Sequence, residues 1–140
     1  MIFLQTPSLD HLNQTSRDTL VQHLGIVFTA VGEDYLEATM PVDARTKQPM
    51  GLLHGGANVV LAETLGSLAS SLTIDLSKKA CVGLEVNANH LRSVREGLVR
   101  GIAKPVHLGR STQVWEIRIM DEKDKLCCIS RLTMAILDKK

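Results

Sequence analysis

Aromatic side chains are scarce: one Trp, one Tyr and two Phe make up 3% of the 140 residues. That is too few for a surface on which bases stack. Neither sign of charge is in excess. Sixteen Lys and Arg face fifteen Asp and Glu, for a net charge of +1, which leaves no dense cationic face for duplex phosphates. Nucleic acid is therefore excluded as a partner. No stretch approaches the roughly 18 apolar residues of a membrane-spanning helix, so no membrane partner is expected either. The opening Met1-Ile2-Phe3-Leu4-Gln5 lacks a cationic start, and Pro7, Asp10 and His11 interrupt any apolar run, so no secretory leader is expected. Cysteine is limited to Cys81, Cys127 and Cys128. An odd count with two adjacent residues fits neither a disulfide framework nor metal-ligand spacing, and a reducing cytoplasm is the expected location. The five histidines His11, His23, His54, His90 and His107 show no ligand pair such as HExxH, so no metal or other cofactor is expected.

What is present is the composition of a soluble globular protein, 44% hydrophobic and 22% charged. No linker, repeat or low-complexity tract divides it, and residues 1–140 read as one domain. Asp10 to His23 forms a weakly amphipathic helix, with Leu12, Thr19, Leu20 and His23 loosely on one side. The extended runs Gly25–Val31 and Tyr35–Met40, joined at Gly32-Glu33-Asp34, form a hairpin. A loop from Pro41 to Leu53 follows, then a long helix from Gly55 to about Ser71. Four strands complete the pattern: Ala80–His90, Gly97–Pro105, Ser111–Met120 and Lys125–Leu137. Trp115, Ile117 and Ile119 alternate against Val114, Glu116 and Arg118, which is a strand period. Short turns imply antiparallel neighbours, and the expected class is α+β, one main helix on a largely antiparallel sheet.

The main helix carries an unusual charge pattern. Leu61, Leu65, Leu68 and Leu72 recur at spacings of four, three and four, one stripe at about 100° per residue that must bury against the sheet. Glu63 lies on the other side, among Gly56, Val59, Val60, Gly66, Ser67 and Ser70, and is the only charged side chain between Leu53 and Thr73. A solvated helix face normally carries several charges, often in i,i+4 pairs. A face of Gly, Val and Ser is one that something covers, either a partner subunit or a ligand. A lone carboxylate there is costly unless it is used. The two glycines of Leu53-His54-Gly55-Gly56-Ala57 expose backbone N–H groups at the positive end of the helix, suited to an anion or a polarised carbonyl oxygen. Glu63 lies about 12 Å further along the axis, a reach that a second subunit's helix would shorten.

Gly51-Leu52-Leu53-His54-Gly55-Gly56 followed by Ala62-Glu63 resembles the signature of hot-dog fold acyl-CoA thioesterases, in the glutamate branch typified by aryl-CoA thioesterases. Glu37–Asp43, Arg45–Pro49, Asn87–His90 and Leu126–Cys128 extend the resemblance, to the branch that serves menaquinone and siderophore synthesis. It implies a long helix wrapped by an antiparallel sheet, a homodimer with active sites at the interface, and often a dimer of dimers. It also implies an acyl-CoA substrate, or an acyl or aryl carrier protein as the acyl donor. Residue by residue, it makes Glu63 the nucleophile or general base and Gly55 the N–H donor to the thioester carbonyl. His54 and Gln48 would position that carbonyl or the leaving thiolate, and Ser67 the attacking water.

Two further segments offer backbone N–H groups, a hydroxyl and one arginine, the mix suited to the phosphates and pantetheine of CoA. They are Asn89-His90-Leu91-Arg92-Ser93, with Asn89, His90, Arg92 and Ser93 as candidates, and the turn His107, Leu108, Gly109, Arg110 and Ser111. Gly83 within a strand suggests close approach of a ligand or chain. The small residues Ser67, Ala69 and Ser70 suggest room for a bulky or aromatic acyl group. Two alternatives stand beside hydrolysis of an aryl- or medium-chain acyl-CoA: a hot-dog hydroxyacyl dehydratase using His54 with Glu63, and a non-catalytic acyl-CoA binding protein.

Overall fold

The computed structural model describes residues 1–140. Short helices α1 (Leu9–Thr15) and α2 (Leu20–His23) precede a hairpin of β1 (Val27–Val31) and β2 (Leu36–Pro41). The long helix α3 (Gly55–Leu72) follows, and then β3 (Lys79–His90), β4 (Leu98–Leu108), β5 (Thr112–Met120) and β6 (Leu126–Asp138). The six strands form one antiparallel sheet in the order β1-β2-β4-β5-β6-β3. α3 packs against five of them, β2 to β6. This is the hot-dog arrangement that the resemblance implies. No helix is long and apolar enough to cross a membrane.

The core follows the expected periods. Gln113, Trp115, Ile117 and Ile119 of β5 are buried, while Arg118 is exposed. Leu61 and Leu65 of α3 are fully buried against the sheet, and Leu68 and Leu72 half-buried; each full burial contributes about 1.5–3 kcal/mol. The far end of α3 is tied down by polar contacts. Gln113 donates from Nε2 to Thr73 Oγ1 at 2.8 Å and accepts from Trp115 Nε1 at 3.0 Å.

Three expectations are corrected. The single helix over Asp10–His23 is two helices. The Thr15 and Ser16 hydroxyls donate back to the Leu12 carbonyl at 2.9 and 3.0 Å, competing with the helical ladder, and Asp18 stands at φ 60°. Leu12 is buried but Leu20 is largely exposed, so the expected side is not one buried face. Gly66 and Ser70 do not share Glu63's open side. The sheet wraps far enough round α3 to bury both, and a β-carbon at Gly66 would stand 2.6 Å from Leu132 Cδ2. Strand β4 runs to Leu108, past Pro105, through a register shift between Pro105 and His107. His107 and Leu108 are therefore strand residues at the mouth of the β4–β5 hairpin.

The Pro41–Leu53 loop hangs on Thr46, which is buried. Its hydroxyl donates to the Pro41 carbonyl at 2.7 Å and accepts from Asp43 N–H at 3.2 Å. Arg45 pairs with Asp43 at 2.6 Å, and that guanidinium holds the Asp43 carboxyl below the usual carboxylate range. On β6, burial pushes the Cys127 thiol up and the Cys128 thiol up to about 11.

Candidate active site

The tip of α3 is built by His54. Its backbone N–H donates to the Thr46 carbonyl at 2.8 Å, and its own carbonyl accepts from Ala57 and Asn58 N–H at 3.0 and 3.3 Å. Its Nδ1 accepts from Gly56 N–H at 2.8 Å, which makes it the N-cap and leaves the ring proton on Nε2. Three of the four first-turn donors are thereby satisfied. Gly55 N–H is the fourth, and no group in the chain accepts from it.

Gly55 opens onto a cleft of about 330 Å³ shared with Gln48, Asn58, His90, Arg92 and Ser93. His90, at the end of β3, lies against the glycine so closely that a β-carbon at position 55 would stand 2.8 Å from its Nε2. Gln48 Oε1 accepts from Met50 N–H, leaving the Nε2 end of the amide for other partners. Asn89 is exposed on β3 beside the cleft.

Glu63 lies in a second, larger cleft of about 540 Å³, between α3 and the α1–α2 segment. Leu12, Leu20, Val21, Phe28, Val60 and Leu68 supply its apolar lining, and Glu63, Thr64 and Ser67 its polar wall on α3. Within one chain the Glu63 carboxylate is exposed and pairs with no cation. β3 passes close by: a β-carbon at Gly83 would stand 3.2 Å from Glu63 Oε1. The close approach expected at Gly83 is thus made by Glu63 of the same chain. Ser67 lies one turn beyond Glu63 and contacts Met134 Sδ at 3.9 Å. Ala69 and Ser70 are fully buried and line neither cleft, so the room expected from them is not there.

The structure therefore brings Gln48, Gly55, His90, Arg92 and Ser93 together, with His54 beside them as the N-cap but not in the cleft lining, and Glu63 with Ser67, but not the two sets with each other. Nor does it unite the two arginine-bearing segments. His90 pairs with Cys128, and Thr112 with Ala135, along β6, a separation of roughly 23 Å. Leu108, Gly109 and Arg110 line a cleft with Lys78 and Lys79 at the opposite end of α3, and His107 and Ser111 are exposed nearby. Sequence reasoning missed Asn58, whose only signal was a polar residue three positions after Gly55 in an apolar run. It also missed the wall that α1 and α2 give to the Glu63 cleft. No group of three His, Cys, Asp or Glu side chains is placed to hold a metal ion.

A donor at a helix tip can polarise an activated carbonyl, and a carboxylate facing an apolar cleft can attack one, but in a single chain these two open onto different clefts. Residues 50–128 match the thioesterase superfamily model. The chain belongs to the thioesterase superfamily. This thioesterase is 58% identical over 137 residues to the 1,4-dihydroxy-2-naphthoyl-CoA hydrolase of Escherichia coli K12, covering 98% of this chain and 100% of that one. It superposes on a crystal structure of a Pseudomonas aeruginosa thioesterase, a glutamine-to-alanine variant, with a TM-score of 0.97. The two are 52% identical, over 99% of this chain and 100% of that one. A Staphylococcus aureus thioesterase superposes with a TM-score of 0.82 at 39% identity, covering 86% of this chain and 99% of that one. That protein was crystallised as a glutamate-to-alanine variant and as a glutamine-to-alanine variant, and the two altered positions are 15 apart.

Proposed function

We propose that the chain hydrolyses acyl-CoA thioesters, with Glu63 as nucleophile or general base and Gly55 N–H as donor to the thioester carbonyl. The observation that carries this is the pair of unspent groups on α3, one N–H without a partner and one carboxylate without a cation. Gln48 and Glu63 are also 15 residues apart, the separation of the two positions altered in the Staphylococcus relative. Gly55 N–H meets the charge that develops on the carbonyl oxygen, a contribution of about 3–4 kcal/mol. Glu63 then either attacks the carbonyl carbon, giving an anhydride that water opens, or takes a proton from an attacking water. Either way the C–S bond breaks and CoA leaves as thiolate. Gln48 and His54 position the carbonyl or the departing sulfur, Ser67 the water, and Arg92 with Ser93 the CoA phosphates.

The two groups stand about 12 Å apart along one helix, too far for one reacting carbonyl, which supports sites completed by a second copy of the chain. β3 is the surface for it: a 12-residue edge strand with Val82 and Leu84 exposed, a ready template for pairing. The acyl group occupies the Glu63 cleft, whose volume suits a drug-sized apolar ligand. The aryl group named for the Escherichia coli relative, 1,4-dihydroxy-2-naphthoyl, supports an aryl-CoA and a role in menaquinone synthesis. Three unpaired cysteines support a reducing, cytoplasmic setting.

The test is release of CoA thiol from dihydroxynaphthoyl-, benzoyl-, phenylacetyl- and fatty acyl-CoA, and from an aryl carrier protein, with mass by light scattering alongside. Thiol release separates hydrolysis from dehydration, and turnover separates it from binding. Aryl-CoA is expected to be turned over fastest. Glu63→Ala is expected to bind CoA yet lose nearly all turnover; unchanged turnover removes Glu63 from the mechanism.

A further inference from the structure

Two buried side-chain polar atoms in this chain have no hydrogen-bond partner, and one of them is Oδ1 of Asn58, a residue that lines the helix-tip cleft. Asn58 is 4% exposed. No hydrogen bond within the chain uses either end of its amide; Oδ1 is shut off from solvent, and Nδ2, which is not among the buried unpaired atoms, is the end left open to a partner. A largely buried amide that spends neither end within the chain is uncommon, and its open Nδ2 donor calls for an acceptor from outside the chain. Leucine, of nearly the same size, would carry no such cost here.

Position decides what that partner is. Asn58 follows Gly55 by three residues, so the two lie on one helix face, and helical side chains lean toward the N-terminus. The amide therefore lies over the free Gly55 N–H, in the cleft that also holds Gln48 and His90. We infer that Asn58 is a second oxyanion donor. Its Nδ2 joins Gly55 N–H in holding the thioester carbonyl oxygen as negative charge develops there. This rests on the thioesterase reading and adds a catalytic residue to it.

The test uses the full chain in its native assembly, with benzoyl-CoA as probe and Asn58→Leu and Asn58→Asp as variants. Loss of one such donor lowers kcat by about 10²–10³-fold. Asn58→Leu is expected to lose kcat on that scale, to keep KM within about threefold, and to melt at the parent temperature or above. Asn58→Asp is expected to lose activity progressively as pH rises, because a protonated carboxyl still donates and an ionised one repels the oxyanion. A kcat for Asn58→Leu within about threefold of the parent overturns the inference and leaves the thioesterase reading standing. So does a loss shared with a lower melting temperature and restored by neither pH nor substrate concentration. A parent that hydrolyses no acyl-CoA overturns both.

Discussion

The depth at which α3 sits on the sheet is set by a glycine, and this can be measured. A β-carbon at Gly101 of β4 would stand 2.7 Å from Leu65 Cδ1 and 3.3 Å from both Leu61 Cδ2 and Cγ. Unstrained carbon contacts lie at about 3.5–4.0 Å, so the added methyl needs close to 1 Å of room beside a fully buried leucine. Gly101→Ala is expected to cost about 1–3 kcal/mol by overpacking, and Leu65→Ala about 2–5 kcal/mol by leaving a cavity. In the double variant the new methyl occupies part of the space that Leu65 vacates. The pair should then be less damaging than the sum of the single changes by about 0.5–3 kcal/mol. The backbone gain of roughly 0.5–1 kcal/mol from replacing a strand glycine enters both backgrounds and cancels in the cycle. The assay is urea denaturation of the four proteins at 25 °C and one protein concentration, since assembly shifts apparent stability. Additivity within about 0.5 kcal/mol would refute the reasoning, because Leu65 would then not be the neighbour that Gly101 accommodates.

Other outcomes follow from single contacts. Asn13 accepts from Phe28 N–H at 2.9 Å and donates to the Phe28 carbonyl at 3.1 Å, fastening α1 to the β1 edge. Asn13→Ala should lose about 1–3 kcal/mol of stability and raise KM for aryl-CoA by loosening the α1 wall; an unchanged KM would separate α1 from acyl binding. With its pKa raised to about 11 by burial, the Cys128 thiol is about one-thousandth thiolate at pH 8, and burial also raises that of Cys127. Native protein at pH 8 should therefore react with a disulfide reagent at no more than one thiol per chain, Cys81, and at all three in urea. Rapid modification of all three in native protein would contradict that burial.

How much of this was legible in the sequence depends on how local the signal is. α3 and β5 were readable because their periods repeat over four turns and nine residues. Glu63 was readable as a candidate because it is the one charge in a long apolar run. The break between α1 and α2 was not, since it rests on two hydroxyls bonding back to Leu12 and on a left-handed Asp18. A helical wheel puts Ser70 near Glu63, but how far a sheet wraps a helix depends on curvature that no short window encodes. Asn58 became meaningful only when the end of β3 and the 48–53 loop closed over it. The segments around Arg92 and Arg110 carry the same chemistry, and only the register of β6 reveals that they sit at opposite ends.

The lobe between Thr46 and His54 is stapled at its base. Lys47 bridges Leu53, Gln48 N–H reaches the Leu52 carbonyl, and His54 N–H reaches that of Thr46. Its apex, by contrast, is unencumbered: Met50 is 73% exposed, and Gly51, at φ +78°, has nothing within 4 Å of a would-be side chain. Extra residues inserted at that apex would lengthen the rim of the helix-tip cleft with little strain on His54 and the first turn of α3, while freeing the Gln48 amide that Met50 N–H now holds. One below the staple, between Thr46 and Gln48, would tilt the whole of α3's first turn. Loop length at this one point can thus reshape the rim of the cleft while the staple keeps the helix tip in place.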